Sequence, residues 1–251
     1  MKLCVVEDYQ AMSKMAADFL VREVNRKPDI VLGLATGGTP VGMYEELVRR
    51  HREDGVDFSR VTSFNLDEYV GLPASHPQSY RTYMYTHLFE KINIDEKRTH
   101  IPRGDAPDLA AECERYEREI VRAGGIDVQV LGIGTNGHIG FNEPGSTAET
   151  TTRVVQLTKS TVEANARYFD SPQAVPTQAV SMGIRNILAA KRILLLASGQ
   201  SKAEAVQRML EGEITPELPA SLLRHHGDVT VILDRQAASL LPAGIIAGAN
   251  P

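Results

Sequence analysis

Apolar positions along the chain fall into two alternating patterns. One is the short run, at residues 3–6, 30–35, 61–66, 128–131, 153–157, 180–182, 193–197 and 229–233, each of a length suited to a strand. The other is a longer stretch with apolar residues every three or four positions, the mark of a helix with one buried face. Met12, Met15, Ala16, Phe19, Leu20 and Val24 form the first of these, and Met43, Tyr44, Leu47 and Val48 the second. Residues 78–92, with Tyr80, Tyr83, Met84, His87, Leu88 and Phe89, predict a third. Leu109, Cys113, Tyr116 and Ile120 predict a fourth, capped by Asp105. A short helix bearing Arg167 is expected over residues 160–169, and His225 and His226 read as helix-end residues without a ligand role. Apolar strands separated by helices predict a single-domain α/β fold, a doubly wound, mostly parallel open sheet with helices on both faces, Rossmann-like. The domain is expected over residues 1–241, with the Ala/Gly-rich residues 242–251 as a flexible tail.

Two strand ends carry unusual loops. After residues 128–131 comes Gly-Ile-Gly-Thr-Asn-Gly-His-Ile-Gly-Phe-Asn-Glu-Pro, residues 132–144. Its glycines, Gly132, Gly134, Gly137 and Gly140, let the backbone come close to a ligand, and His138 and Glu143 form a potential acid/base pair beside Asn136. Ligands of open α/β sheets gather beyond the carboxyl ends of the strands, where this loop falls. The spelling Gly132-x-Gly134-x-x-Gly137 matches a dinucleotide fingerprint, but Gly140 and Pro144 interrupt the helix that motif requires, which argues against NAD. The second loop, Thr36-Gly37-Gly38-Thr39-Pro40, places two glycines and two hydroxyls ahead of a helix. It reads equally as a phosphate cradle or as an ordinary turn. Asp67 and Glu68 end a strand side by side. Adjacent residues of an extended chain face opposite ways, so the two do not make a metal centre. Lys202 opens a helix after Gly199 and could meet an anion there.

Composition narrows the classes. In 251 residues, 27 Lys and Arg stand against 32 Asp and Glu, a formal charge of -5, so the overall field attracts neither nucleic acid nor an anionic membrane. Cys4 and Cys113 both lie on apolar stretches and read as buried free thiols of a reducing compartment. No leader-like or membrane-spanning apolar run and no zinc spacing appears, so a cytoplasmic enzyme working through organic side chains is expected, without a metal.

Taken together, Leu-Ala-Thr-Gly-Gly-Thr-Pro, Phe-Asn-Leu-Asp-Glu-Tyr-Val-Gly-Leu-Pro, His-Pro-Gln-Ser-Tyr, Gly-His-Ile-Gly-Phe-Asn-Glu-Pro and Ala166-Arg167-Tyr168-Phe169 closely resemble the glucosamine-6-phosphate deaminase (isomerase) family. The related 6-phosphogluconolactonases usually follow their Gly-His pair with Ser-Leu-Phe-Pro, unlike Phe141-Asn142-Glu143-Pro144 here. The resemblance implies conversion of glucosamine 6-phosphate and water to fructose 6-phosphate and ammonia in amino-sugar (N-acetylglucosamine) catabolism, with no cofactor. It implies that His138 assists ring opening, Asp67 moves a proton from carbon 2 to carbon 1, and Glu143 orients and charge-tunes His138. Asn136 stands where some members carry Asp, so here it orients by hydrogen bonding only. Thr36, Gly37, Gly38, Thr39, Tyr80, Gly137, Arg167 and Lys202 become the implied substrate-binding set, with Tyr80 over the sugar. Ser146 and Arg153 fit the allosteric site of larger members, but Val155 replaces an expected lysine, which implies a monomer or small homo-oligomer without that activation. Two other readings stay open: lactone hydrolysis, and a sugar-phosphate-sensing module without turnover.

Overall fold

The computed structural model describes residues 1–248, leaving aside the side chains of residues 164, 168, 172, 247 and 248. The chain opens with β1 (Lys2–Val6), α1 (Tyr9–Arg26), β2 (Val31–Leu34), α2 (Val41–Asp54) and β3 (Thr62–Asn65). It continues through β4 (Asp67–Tyr69), α3 (Tyr80–His87), β5 (Thr99–His100), α4 (Leu109–Arg122) and β6 (Val128–Leu131). Beyond the central loop come β7 (Arg153–Gln156), α5 (Lys159–Asn165), β8 (Gln178–Ser181), α6 (Ile184–Leu188) and β9 (Arg192–Ala197), and then α7 (Ala203–Glu211), β10 (Val229–Asp234) and α8 (Ala243–Gly248). Among these residues no helix is long and apolar enough to cross a membrane.

Seven strands form a parallel sheet in the order β1-β10-β9-β6-β2-β3-β5. Alternate residues of each strand feed two cores. Val31 and Ala35 face the layer that holds Tyr116 of α4, Ile184 of α6 and Val206 of α7, whereas Leu32 and Leu34 face Met12 and Leu20 of α1 and Met43 of α2. Two covered faces are why the strands read as continuous apolar runs. From β2 the chain proceeds outward to β3, while from β6 it proceeds the other way to β9. The strand order therefore reverses between β2 and β6, the place where open α/β sheets leave a crevice.

A second, antiparallel sheet, β4-β8-β7, was not expected from the apolar pattern. Leu66 is the hinge between the sheets: its N–H still reaches Leu34 O of the large sheet (3.1 Å), and its carbonyl accepts from Met182 N (2.7 Å). β4 is therefore carried over the carboxyl ends of the parallel strands, and its side, with β8 and β7, builds a small aromatic core of Tyr69, Phe141, Val155 and Leu157.

Several local expectations change. The cap of α4 is Asp108, whose side chain accepts from Ala111 N (2.9 Å), and not Asp105. Pro107 accounts for this, because the residue before a proline is disfavoured in the helical region and the helix must begin beyond it. The helix expected over 78–92 stops at His87, where Leu88 leaves helical geometry (φ -138°), and a 3-10 turn, Phe89–Lys91, follows. The helix expected over 160–169 divides into α5 and a 3-10 turn, Ala166–Tyr168, that carries Arg167. His225 ends the 3-10 segment Pro219–His225, and His226 packs structurally, with Nε2 2.7 Å from Ala190 O. In the stretch expected as a tail, residues 243–248 form α8, whose Ile245 and Ile246 pack against the core; residues 249–251 lie outside the described residues.

Candidate active site

The two glycine-rich loops leave the carboxyl ends of β2 and β6, on either side of the reversal point. Residues 36–40 connect β2 to α2 and are held through their carbonyls. Tyr83 Oη donates to Gly37 O (2.6 Å) and Tyr9 Oη to Gly38 O (3.1 Å), while Tyr44 Oη donates to Ala35 O (2.5 Å). Anchoring by carbonyls turns the amide side of the loop outward, ahead of α2, as an anion cradle requires. Tyr80 begins α3, and its phenol is buried beside Thr36. Its ring packs on Tyr69 and Phe141, with centroids 4.7 and 6.1 Å away.

Asp67 and Glu68 do point apart, and they take different tasks. Glu68 accepts from the backbone N–H of Tyr69 (2.9 Å), Tyr80 (3.0 Å) and Arg81 (3.1 Å), which ties the start of α3 to β4. Asp67 turns toward the central loop: a Cβ built on Gly140 would lie 3.6 Å from Asp67 Oδ2. Burial, with the charge of Glu68 adding, pushes the Asp67 carboxyl up to about 8.

The central loop arranges Asn136, His138 and Glu143 as a chain. Asn136 Nδ2 donates to Glu143 Oε2 (2.9 Å), and His138 Nδ1 lies 2.6 Å from Asn136 Oδ1. The direct separation of His138 Nδ1 and Glu143 Oε2 is 3.6 Å, too long for a hydrogen bond. A carboxylate only accepts, so it fixes which end of the Asn136 amide faces it. The amide oxygen must then face the ring, and Nδ1 must carry the proton, which leaves Nε2 as the base. Glu143 therefore orients His138 through Asn136 while acting on it directly by charge. Burial pushes the imidazole below its usual value, Glu143 opposes that shift, and Lys202 adds to it. Gly134 makes room for this, since a Cβ there would lie 2.1 Å from His138 Cε1.

Lys202 ends the 3-10 turn Gln200–Lys202 ahead of α7, and burial and then the charge of Arg167 push its ammonium down. The two cations thus share a neighbourhood that also reaches His138. Gly137 sits against Leu218, and its carbonyl accepts from Ala220 N (2.9 Å), a contact with the wall of the site. Residues that the motifs did not single out complete the frame. Tyr9 and Tyr83 anchor the cradle, Ser181 Oγ accepts from Phe141 N (3.1 Å), and Thr158 and Thr161 approach Glu143. Only the Thr-x-x-Thr spelling, a hydroxyl residue at a helix start, carried a signal for the last pair.

The chain is similar to known proteins over nearly its whole length. The curated glucosamine-6-phosphate deaminase of Halothermothrix orenii is 54% identical over 241 residues, 96% of this chain and 100% of that one. Those of Clostridium perfringens (strain SM101) and Thermoanaerobacter sp. (strain X514) are 53% and 51% identical, covering 96% of this chain and 100% and 96% of theirs. A solved monomeric glucosamine-6-phosphate deaminase superposes with a TM-score of 0.94 at 51% identity, covering 96% of this chain and 100% of the other. The 6-phosphogluconolactonase of Trypanosoma brucei shares the fold, with a TM-score of 0.75 at 20% identity over 96% of this chain and 98% of its own. Residues 7–232 match the family described as glucosamine-6-phosphate isomerases/6-phosphogluconolactonase, and the chain belongs to that family.

Proposed function

We propose that the chain is a glucosamine-6-phosphate deaminase, converting glucosamine 6-phosphate and water to fructose 6-phosphate and ammonia. The observation that carries this reading is near-full-length identity of 51–54% to deaminases, against 20% to a lactonase of the same fold. In this reading the phosphate sits on residues 36–39, with Arg167 and Lys202 supplying charge, and Tyr80 beside the sugar. An arginine grips two phosphate oxygens and a lysine acts as a point charge. His138 Nε2, the base left by the Asn136 contact, moves the proton from the anomeric hydroxyl to the ring oxygen, and the ring opens to an aldehyde. Asp67, as carboxylate, takes the proton from carbon 2 while a proton passes from the ammonium to the aldehyde oxygen at carbon 1, and it returns its own to carbon 1 of the enolamine so formed. The resulting ketimine at carbon 2 adds water and loses ammonia, so every proton removed is returned. The raised value of Asp67 makes it a strong base once ionised, and the ammonium of an incoming amino sugar favours that ionised form.

A monomer without activation by a second sugar phosphate fits the monomeric neighbour and the Val155 substitution. The buried free thiols of Cys4 and Cys113 fit a cytoplasmic catabolic enzyme. The test is release of ammonia and fructose 6-phosphate from glucosamine 6-phosphate by the wild type, Asp67→Asn and His138→Gln. Equal formation of both products, lost in Asp67→Asn, is expected. Absence of product from folded wild type that binds the sugar phosphate would overturn the reading. Deuterium from solvent should enter carbon 1 of the product to the extent that the proton held on Asp67 exchanges before its return, which lactone hydrolysis does not allow.

A further inference from the structure

Glu143 accepts hydrogen bonds on both oxygens, from opposite sides of the site. Oε2 receives the Asn136 amide, as described, and Oε1 receives the hydroxyl of Thr161. Thr161 is 6% exposed, and its single hydroxyl proton is committed to that bond. Thr158 caps α5 by accepting from Thr161 N (3.3 Å). Its own proton is offered between Thr161 Oγ1 (3.0 Å) and Glu143 Oε1 (3.3 Å). Donors therefore run one way on each side: Thr158 and Thr161 toward Glu143, and His138 and Asn136 toward Glu143.

Helix formation accounts for Thr158 but not for Thr161. A cap needs one side-chain oxygen at its own position and only a backbone N–H three residues on. A β-branched residue at that later position is slightly unfavourable for the helix. What the Thr161 hydroxyl does have is a partner across the site. The terminal torsion of a glutamate is broad, so a carboxylate whose Oε1 keeps only the long contact from Thr158 (3.3 Å) turns more readily. Turning Glu143 would take its Oε2 from Asn136, leave that amide held only by the backbone N–H of His138 on its Oδ1 (3.2 Å), and so loosen the acceptor that fixes the tautomer of His138.

We propose that Thr161 is a positioning residue for the deaminase reaction: its hydroxyl locks the plane of Glu143 and, through Asn136, the orientation of His138. The inference rests on the assignment of His138 and Glu143 to ring opening. It makes alignment of the acid/base pair depend on how α5 docks, and the chain that continues from α5 carries Arg167 on the turn that follows. One hydroxyl thereby joins the phosphate side of the site to the proton-transfer side.

The experiment compares Thr161→Val, which keeps the volume and removes the hydroxyl, with Thr161→Ser, which keeps the hydroxyl, in steady-state turnover of glucosamine 6-phosphate. A lost hydrogen bond to a charged group predicts that kcat of Thr161→Val falls about ten- to a hundredfold, with KM within about threefold of wild type. Thr161→Ser should recover kcat to within about threefold of wild type, which a purely packing role would not allow. Wild-type kcat in Thr161→Val, equal losses in Val and Ser, or a raised KM with unchanged kcat would each overturn the proposal. If Thr161→Val does not fold, as judged by its thermal transition, Thr161→Ala takes its place against Ser with the same outcomes. His138→Gln, run alongside, separates the two levels. Full turnover in it overturns the site assignment itself, while its loss together with an unimpaired Thr161→Val overturns only the role of Thr161.

Discussion

Asp67→Asn replaces a buried carboxyl by its neutral isostere, and its effects on stability and on turnover should have opposite signs. The carboxyl titrates at about 8 in the folded protein against an ordinary value of 3.8, chiefly because of burial and then because of Glu68. Its folded-state value is raised, so the folded protein holds a proton that the unfolded chain releases. The penalty is absent below pH 3.8, grows as pH rises to about 8, and is constant above that. Each pH unit in the window costs about 1.4 kcal/mol, which sums to at most about 4 kcal/mol at pH 7 and less than half of that at pH 5. Asparagine does not titrate, so the variant escapes this cost. For a chain of this size about 1 kcal/mol moves the midpoint by roughly 2–4 °C, so at pH 8, where the penalty reaches at most about 5–6 kcal/mol, the variant should melt up to roughly 10–20 °C above wild type.

The assay is thermal unfolding of both proteins at pH 5, 7 and 9, with deaminase activity measured in parallel. The stability gap should widen from pH 5 to pH 8 and then level off, while activity of the variant falls at least about a hundredfold, as for loss of a general base. Wild-type kcat/KM should rise toward pH 8 as Asp67 ionises. A variant that melts at or below the wild-type temperature, or a gap that does not change with pH, would refute the argument that Asp67 is a desolvated base.

Gly134→Ala would place a Cβ 2.1 Å from the His138 ring, so kcat should fall by about a hundredfold with an intact fold by circular dichroism. Asn136→Asp adds a negative charge beside the imidazole. The imidazole of His138 should then titrate about one pH unit higher than in the wild type, as followed by the NMR shifts of its ring protons, and an unchanged titration would count against the relay through residue 136. Lys202→Met removes a buried cation from the proposed phosphate site and should raise KM about ten- to a hundredfold with kcat within a few-fold, as read from steady-state kinetics.

The large sheet was legible because both its faces are covered, which turns β2, β6, β9 and β10 into unbroken buried runs. The small sheet was not. β4 is Asp-Glu-Tyr, whose buried state depends on three backbone donors and an aromatic cluster from distant segments, and no period of apolar residues announces it. The early stop of α3 was equally silent, since Leu88 departs from helical geometry without a glycine or proline to mark it. Within the site, the loop of residues 132–144 announced itself by glycines around a histidine, and 36–40 by glycines and hydroxyls at a strand end. Direction could not be read. That Asn136 stands between His138 and Glu143 requires the turn at Gly137, and the hydroxyls of Thr158 and Thr161 reach Glu143 only because β7 returns α5 beside the loop.

The treatment of three carboxyls explains why the site needs all of these parts. Asp67 must be a stronger base than a solvated carboxylate, and burial supplies that, but burial alone would leave it unoriented. Its neighbour supplies the orientation at the level of the backbone: Glu68, caught by the N–H groups of Tyr69, Tyr80 and Arg81, pins β4 against α3. Burial pushes the Glu68 carboxyl up as well, against the pull of those donors, and its charge in turn raises Asp67. Glu143 carries donors on both oxygens from two side chains of the site, which makes it a fixed acceptor on which Asn136 and His138 can align. A site with two exposed carboxylates and a free imidazole would hold the same groups, yet its base would be weak and its histidine would have no assigned tautomer. The distinction lies in what each oxygen touches, and this is why a single methyl-for-hydroxyl exchange at Thr161 should be felt at His138.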